Sequence, residues 1–196
     1  MNKFILASAS PRRKELLGAI GLDFAVIVSE ADESSVSKEL EPSLYVQELA
    51  MLKAAATAKT IVDYKETIVI AADTIVTLDG KILGKPLDEN DAFKMLKALS
   101  GRVHEVYTGY CVMRIADGFS VCRAVKTEVA FKELTDDKIN RYIATKEPMD
   151  KAGAYGIQGM GGLLIEKING DYQNVVGLPV SALIDTLEKE FEVDIL

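Results

Sequence analysis

Short apolar runs rich in β-branched residues alternate along the chain with longer stretches in which apolar residues recur at helical spacing. The most apolar run, Thr67 to Leu78, is Thr-Ile-Val-Ile-Ala-Ala-Asp-Thr-Ile-Val-Thr-Leu. Its β-branched content predicts a central strand, either continuous or broken by a turn. Phe4 to Ala7 and Asp23 to Val28 predict two earlier strands, and Asp79-Gly80 predicts a tight turn leading into Lys81-Ile82-Leu83.

The helical stretches carry recognisable signals at their ends. A helix is predicted from Pro42 to about Val62, because Leu44, Leu49, Leu52 and Ala56 recur at helical spacing. The other predicted helices begin at capping residues or at a proline. They run from about Glu89 to Leu99 after Asp88, to about Thr145 after Thr135, and from Pro179 to about Glu190.

The middle of the chain predicts a long hairpin, with arms from Val103 to Ile115 and from Phe119 to Leu134. In the second arm, apolar and charged residues alternate as they do in a half-solvated strand. The two cysteines, Cys111 and Cys122, fall on facing arms, so disulfide geometry stays open alongside two reduced thiols. A last strand is predicted from Leu163 to Ile168.

Composition and charge narrow the classes of function. The 196 residues are 48% hydrophobic, enough for one compact unit or for two lobes around a cleft. The net charge of −7 opposes binding to long nucleic acid, although a local basic pocket can still hold a small polyanion. A zinc site or a Ser-His-Asp triad is disfavoured, because His104 is the single histidine.

The chain is predicted to be cytoplasmic and to have no membrane partner. No stretch approaches the roughly 18 consecutive apolar residues of a membrane helix. Arg12 and Arg13 lie where the apolar segment of a signal peptide would have to run.

The loop after the first apolar run predicts a phosphate-binding turn. Ser10 is placed to cap a helix, and Pro11 suits its first position because proline lacks the N–H that would stay unpaired there. Arg12, Arg13 and Lys14 follow at once, although cations oppose the dipole at a helix N-terminus. They are either solvated surface charges or ligands of a bound anion, and the free N–H groups of the turn favour an anion.

Asp73 is the only charged residue between Thr67 and Leu78. A carboxylate in a buried strand is costly unless a metal, a cation or hydrogen-bond donors compensate it. Asp73 is therefore either a strand-end residue that caps a turn or a functional group. The functional alternatives are a base for water, a ligand for Mg²⁺ or Mn²⁺, or both.

Other charged residues could complete a site for a polyphosphate. Glu33 lies in an acidic loop with Glu30 and Asp32, and such oxygen ligands suit a hard cation, although acidic loops are commonly just solvated. Lys53 is either a lysine with its stem along the core edge or a phosphate ligand. Lys85, between Gly84 and Pro86, stands on a stiff loop that suits a fixed ligand.

The glycine-rich stretch from Tyr155 to Gly162 matches neither the dinucleotide-binding nor the P-loop pattern, and a strand rather than a helix is predicted after it. Its glycines allow the backbone to approach a flat ligand closely. The amide of Gln158 can pair with a pyrimidine edge that offers both an acceptor and an N–H.

Several of these stretches together resemble the Maf family, once called septum formation inhibitors. The matching segments are Ser8 to Arg13, Ala72 to Val76, Gly84 to Pro86, Asp150 to Gly159 and Gly177 to Pro179. The resemblance implies a single domain over residues 1–196 with an α/β fold. That fold has a long mixed β-sheet flanked by helices and two lobes around a cleft, similar to the inosine triphosphate pyrophosphatases.

The resemblance also implies an activity, the hydrolysis of nucleoside triphosphates to the monophosphate and pyrophosphate with Mg²⁺ or Mn²⁺. It makes Asp73 the proton acceptor and Glu33 a partner of the metal or of the water, and Asp73 stays a candidate metal ligand beside Glu33. The implied phosphate ligands are Ser8, Arg13, Lys53, Lys85 and Lys151. Arg12, Thr74 and Gln158 match the positions associated with base selection in the family's dTTP and UTP branch.

Two alternatives to a dTTP and UTP pyrophosphatase stay open at this point. One is the same reaction on a modified purine such as 7-methyl-GTP. The other is a non-catalytic regulator of cell division that senses nucleotides. The sequence also leaves open whether the chain forms a homodimer.

Overall fold

A computed structural model describes residues 3–62 and 66–195 of the protein. The chain folds into two compact units. The first comprises Met1–Asp73, Thr108–Val125 and Gly177–Leu196, and the second comprises Thr74–Tyr107 and Lys126–Val176. The single domain predicted over residues 1–196 stays a prediction, and its residues 1, 2, 63–65 and 196 lie outside the described part.

Within the described residues, seven strands form one mixed sheet in the order β2-β1-β3-β5-β6-β7, with β4 paired to β3. The strands are β1 (Lys3–Leu6), β2 (Phe24–Val26), β3 (Thr67–Leu78), β4 (Lys81–Leu83), β5 (Val103–Arg114), β6 (Ser120–Phe131) and β7 (Ile165–Asn169). β1 is parallel to β2 and β3, whereas β4 is antiparallel to β3 and β7 to β6. The predicted long mixed sheet is confirmed.

Helices flank the sheet and begin where the capping signals predict. They are α1 (Pro11–Gly18), α2 (Pro42–Ala58), α3 (Glu89–Leu99), α4 (Asp136–Ala144), α5 (Tyr172–Val176) and α6 (Val180–Phe191). The side chains of Ser10, Asp88 and Thr135 each accept a hydrogen bond from a backbone N–H in the first turn of their helix. In the described part of the chain, no helix combines the length and apolar character that crossing a bilayer requires.

The sequence prediction was wrong about the end of α2. The helix ends at Ala58 rather than near Val62, because Thr60 turns back and donates its hydroxyl to the Thr57 carbonyl at 2.8 Å. Leu44, one of the four residues whose spacing predicts the helix, is 50% exposed. The buried face consists of Tyr45, Val46, Leu49, Ala50, Ala54 and Thr57.

Two strand predictions also needed correction. β2 covers Phe24–Val26, which is shorter than the predicted 23–28. β7 begins at Ile165 rather than Leu163, because Gly159–Leu164 form a 3₁₀ helix. β3, in contrast, is continuous over its twelve residues, which excludes the alternative of a break.

The first unit brings α2 unusually close to the sheet at Gly109 of β5. A Cβ atom on Gly109 would lie 2.3 Å from the carbonyl carbon and oxygen of Val46, so only glycine fits there. The helix can therefore rest directly on the backbone of β5. This contact fixes the height above the sheet of the helix that carries Tyr45 and Lys53.

The two cysteines lie in the first unit as free thiols rather than as a disulfide. Cys111 is buried, and the neighbouring Cys122 thiol together with that burial raises the pKa of the Cys111 thiol. A protonated, buried thiol is a poor nucleophile. Cys111 therefore contributes packing, and the alternative of two reduced cysteines is the one observed.

His104 lies in the core of the second unit, where it serves packing. Its Nε2 is 2.7 Å from the Tyr155 hydroxyl, and its ring meets the edges of Phe131 and Tyr155 at centroid distances of 5.0 and 5.3 Å. Burial lowers the pKa of His104 from 6.5 to about 4. The imidazole is therefore neutral at neutral pH.

The lowered pKa of His104 predicts a specific pH dependence of stability. Between about pH 6.5 and about pH 4, the unfolded chain binds a proton at His104 that the folded chain does not. The free energy of unfolding is therefore intact above pH 6.5 and falls as the pH drops through this window, by on the order of 3 kcal/mol. Urea denaturation at several pH values measures this loss.

His104→Phe serves as the control for this measurement. Phenylalanine keeps an aromatic ring but leaves the Tyr155 hydroxyl without its partner, so the variant is less stable than the unmodified protein above pH 6.5. This difference should narrow as the pH drops from 6.5 to about 4, because only the unmodified protein loses stability through residue 104. The part of the pH dependence that belongs to residue 104 should disappear. Identical pH profiles for the two proteins would contradict the prediction.

Candidate functional site

The turn after β1 holds Arg13 in a fixed direction. The guanidinium donates from Nη1 to the Ser8 hydroxyl at 3.2 Å and from Nε to the Gly177 carbonyl at 2.8 Å. The Ser8 hydroxyl also accepts from the backbone N–H of Ser10, and the Ser8 residue itself is buried. Two predicted phosphate ligands, Ser8 and Arg13, are thus brought together at the start of α1.

The electrostatic surroundings of Arg13 are those of an enclosed cation. Burial lowers the pKa of the guanidinium, the Asp73 carboxylate opposes that shift, and the neighbouring Arg12 adds to it. Arginine nevertheless keeps its charge in proteins. A bound anion such as phosphate would stabilise the positive charge of Arg13, which is enclosed beside a second arginine.

Lys53 of α2 joins the two acidic residues that the sequence singled out. Its Nζ lies 2.5 Å from Asp73 Oδ1 and 3.0 Å from Glu33 Oε1. The Lys53 and Asp73 side chains are 13% and 15% exposed, whereas that of Glu33 is 55% exposed. The carboxylate in the buried strand is therefore compensated by an ammonium group, and the alternative of a turn cap does not apply to Asp73.

The structure also resolves which residue of the acidic loop faces this ammonium. Asp32 Oδ1 accepts from the backbone N–H of Ser34 at 3.1 Å and from the Ser34 hydroxyl at 2.6 Å. It caps the short 3₁₀ helix Glu33–Ser35, and these hydrogen bonds lower the pKa of Asp32. Asp32 is thus committed to the loop itself, while Glu33 reaches Lys53.

Tyr45 belongs to the same group of residues, although the sequence analysis did not select it. It is buried, and its pKa is raised first by burial and then by the charges of Asp73 and Glu33. Its position, eight residues before Lys53 and a little over two turns away on the same helix, was a usable signal.

Glu33 and Asp73 fit a divalent cation such as Mg²⁺ or Mn²⁺. Both carboxylates contact one ammonium group, so their contacting oxygens are no further apart than the sum of the two Lys53 distances. Magnesium is commonly held by one or two carboxylates together with substrate phosphates. Among residues 3–62 and 66–195, no group of three or more His, Cys, Asp or Glu side chains could hold a metal ion. Substrate phosphates would therefore have to supply the remaining ligands.

The second unit contains two of the five predicted phosphate ligands, Lys85 and Lys151. The Gly153 N–H donates to the Gly84 carbonyl at 3.0 Å, which joins the segments that carry the two lysines. Lys85 is exposed, whereas the Lys151 ammonium contacts the Glu147 carbonyl at 2.5 Å and Asp150 Oδ1 at 2.7 Å.

The three predicted base-selecting residues lie in both units. Arg12 is half-buried in the first turn of α1, in the first unit. Thr74 follows Asp73 directly on β3 and is the first residue of the second unit. Gln158, also in the second unit, is exposed just before the 3₁₀ helix Gly159–Leu164.

The fold places the chain in a known class of α/β proteins. A structure of a HAM1 protein from Coxiella burnetii superposes with a TM-score of 0.55, covering 98% of this chain and 100% of that one at 18% identity. At this level of identity the likeness shows the fold alone. The predicted similarity in fold is confirmed.

The sequence then identifies the family to which the chain belongs. It matches the profile of the Maf-like protein family over residues 3–190. A dTTP/UTP pyrophosphatase of Clostridium novyi (strain NT) is 58% identical over 92% of this chain and 94% of its own. One of Thermoanaerobacter sp. (strain X514) is 53% identical over 99% and 100%. The chain therefore belongs to the Maf-like protein family, as its motifs predict.

The pinned geometry of Arg13 predicts the effect of removing it. Arg13→Ala is expected to raise KM and to lower kcat by roughly 10²–10³, because a fixed cation stabilises the charge that develops as a phosphate group leaves. Steady-state kinetics with a nucleoside triphosphate, together with thermal melting, provide the measurement.

Lys14→Ala is the matched control, since Lys14 lies on the same helical turn but is exposed. It should leave the kinetics unchanged. Equal effects of the two substitutions would mean that only the overall positive charge of this turn matters.

Proposed function

We propose that this protein hydrolyses nucleoside triphosphates to the monophosphate and pyrophosphate, with dTTP and UTP as preferred substrates. The observation that carries the proposal is the Asp73 carboxylate, held 2.5 Å from Lys53 in a buried strand and facing the charge of Arg13. A protein that only senses nucleotides needs phosphate ligands but no such base. The names of the relatives at 58% and 53% identity support the same activity.

The proposed reaction is attack of water on the α-phosphorus. Asp73 takes a proton from the water as its oxygen bonds to phosphorus, and Lys53 orients the carboxylate from α2. The bond between the α-phosphorus and the bridging oxygen breaks, so pyrophosphate leaves with the electron pair. Arg13 and Ser8 contact the phosphates, and Lys85 and Lys151 are proposed as further ligands of the same groups.

The divalent cation has a defined place in this proposal. Glu33 and Asp73 would hold it, and when bound it would neutralise part of the charge of the triphosphate. The protein's own cations then balance the remainder.

Base selection is proposed to involve Arg12, Thr74 and Gln158, as the family resemblance implies. The exposed Gln158 side chain offers one acceptor and one donor group, which matches the edge of thymine or uracil. A side-chain amide can also pair with a purine edge, so the larger ring system of purines is what would have to be excluded by the size of the base site. The amide of Gln158 is thus compatible with a pyrimidine base.

The experiment that tests the proposed function is pyrophosphate release by the purified protein across dTTP, UTP, CTP, ATP, GTP and 7-methyl-GTP. With Mg²⁺ or Mn²⁺ present, dTTP and UTP should have the highest kcat/KM, and exhaustive chelation should abolish turnover. Preference for 7-methyl-GTP would favour the purine alternative. Binding of nucleotides without hydrolysis of any of them would favour the nucleotide-sensing regulator. Undiminished turnover after chelation would contradict the proposed requirement for a divalent cation.

Asp73→Asn separates catalysis from nucleotide binding. Asparagine keeps the size of the side chain but cannot act as a base, so kcat should fall by roughly 10²–10⁴. Removal of a negative charge near a polyanion should leave nucleotide binding intact. Both quantities are to be measured on the same preparation, after thermal melting has shown that it is folded.

Asp117→Asn is the control for this substitution, since Asp117 lies exposed in the hairpin turn of the same unit and should tolerate the change. If Asp73→Asn hydrolysed dTTP as fast as the unmodified protein, Asp73 would not be the base.

A further inference from the structure

Glu147, which no part of the proposed reaction uses, organises the glycine-rich loop of the second unit. Its Oε1 accepts hydrogen bonds from the Tyr142 hydroxyl at 2.9 Å and from the Gly161 N–H at 3.0 Å. Its Oε2 accepts from the Met160 N–H at 3.1 Å. Both carboxylate oxygens are thus engaged by donors, and two of those donors belong to the loop backbone.

Tyr142 ties the other side of the same loop to the same carboxylate. Its hydroxyl accepts from the Gly156 N–H at 3.4 Å while it donates to Glu147. Burial raises the pKa of Tyr142, and the Glu147 carboxylate raises it further. The hydroxyl therefore remains a donor throughout the physiological pH range.

The loop between these anchors is folded tightly on itself. A Cβ atom on Gly161 would lie 2.2 Å from the Gly156 carbonyl oxygen, and one on Gly162 would lie 2.7 Å from that of Ile157. Gly159 has a φ of 68°, and a Cβ atom on it would lie 2.9 Å from Glu147 Oε2. The glycines therefore permit this conformation, and the hydrogen bonds to Glu147 select it.

Gln158 lies between the two anchored parts of the loop, with its side chain exposed. Gly156 is held on one side of it and Met160 and Gly161 on the other. We propose that Glu147 is a positioning residue for base selection, because its carboxylate fixes the backbone that presents the Gln158 amide. The inference rests on the proposed function, in which Gln158 contacts the base.

A carboxylate is specifically required for this arrangement. All of the contacts to the Glu147 side chain come from donors, and a carboxylate offers acceptors at both oxygens. In Glu147→Gln, the amide nitrogen would face one of those donors, so at least one anchor is lost while the size is unchanged. Tyr142→Phe removes the hydroxyl but leaves the glutamate in place.

The test compares Glu147→Gln and Tyr142→Phe with Glu166→Gln, a control in which an exposed glutamate of β7 changes in the same way. In the free protein, amide hydrogen exchange should rise roughly tenfold in Glu147→Gln at Met160 or Gly161, whichever amide faces the new side-chain nitrogen, as one hydrogen bond to a charged group is lost. The ratio of kcat/KM for dTTP to that for ATP should fall by a similar factor, mainly through KM for dTTP. The control should change neither quantity.

A double substitution distinguishes positioning from general stabilisation. If Glu147 acts through Gln158, Glu147→Gln should not lower the dTTP preference any further in a Gln158→Ala background. A further loss in that background would overturn the proposal, and so would faster exchange with an unchanged preference in the single variant.

The failure of the proposed function would be visible separately. An unmodified protein that does not prefer dTTP over ATP would overturn both the proposed function and the role of Glu147 in selection. An unmodified protein that has the preference, with variants that keep it, would overturn the inference alone. If Glu147→Gln does not fold, Tyr142→Phe provides the same comparison.

Discussion

The contact of one ammonium group with two carboxylates is the interaction on which the first unit's site depends. A charge in the middle of β3 would be strongly destabilising by itself, and Lys53 compensates it at 2.5 Å. The same ammonium also contacts the carboxylate of Glu33, a largely exposed side chain, at 3.0 Å. For Lys53 to be there, α2 must lie directly on the sheet, which the absence of a side chain at Gly109 allows. A glycine in β5 thus supports an ion pair that it does not touch.

Local signals in the sequence predicted much of this arrangement. Ser10, Asp88 and Thr135 cap their helices as expected, because capping depends on residues only three positions apart. The lone charge of Asp73 predicted a compensating partner for a similar reason, since buried charges are rare without partners, and Lys53 is that partner. The family motifs added proposed roles for residues that have no local signal of their own.

Contacts between distant parts of the chain account for what the sequence could not predict. Neither the link from Glu33 to Lys53 nor the hydrogen bonds from Met160 and Gly161 to Glu147 leave any local pattern. The choice among the acidic residues of the first loop was open until Asp32 proved to cap its own helix. The end of α2 was misplaced because the apolar pattern continues past Ala58, while the Thr60 hydroxyl competes for the helix carbonyl.

The construction of the glycine-rich loop has a consequence for how such a protein can change over time. The shape of the loop depends on glycines and on one carboxylate beneath it, whereas the exposed Gln158 side chain has no part in holding that shape. The residues that hold the loop are therefore distinct from the residue proposed to contact the base. A new side chain at position 158 can be introduced without refolding the loop, so under the proposed function a change of preferred nucleotide needs few substitutions, and each intermediate protein keeps its fold.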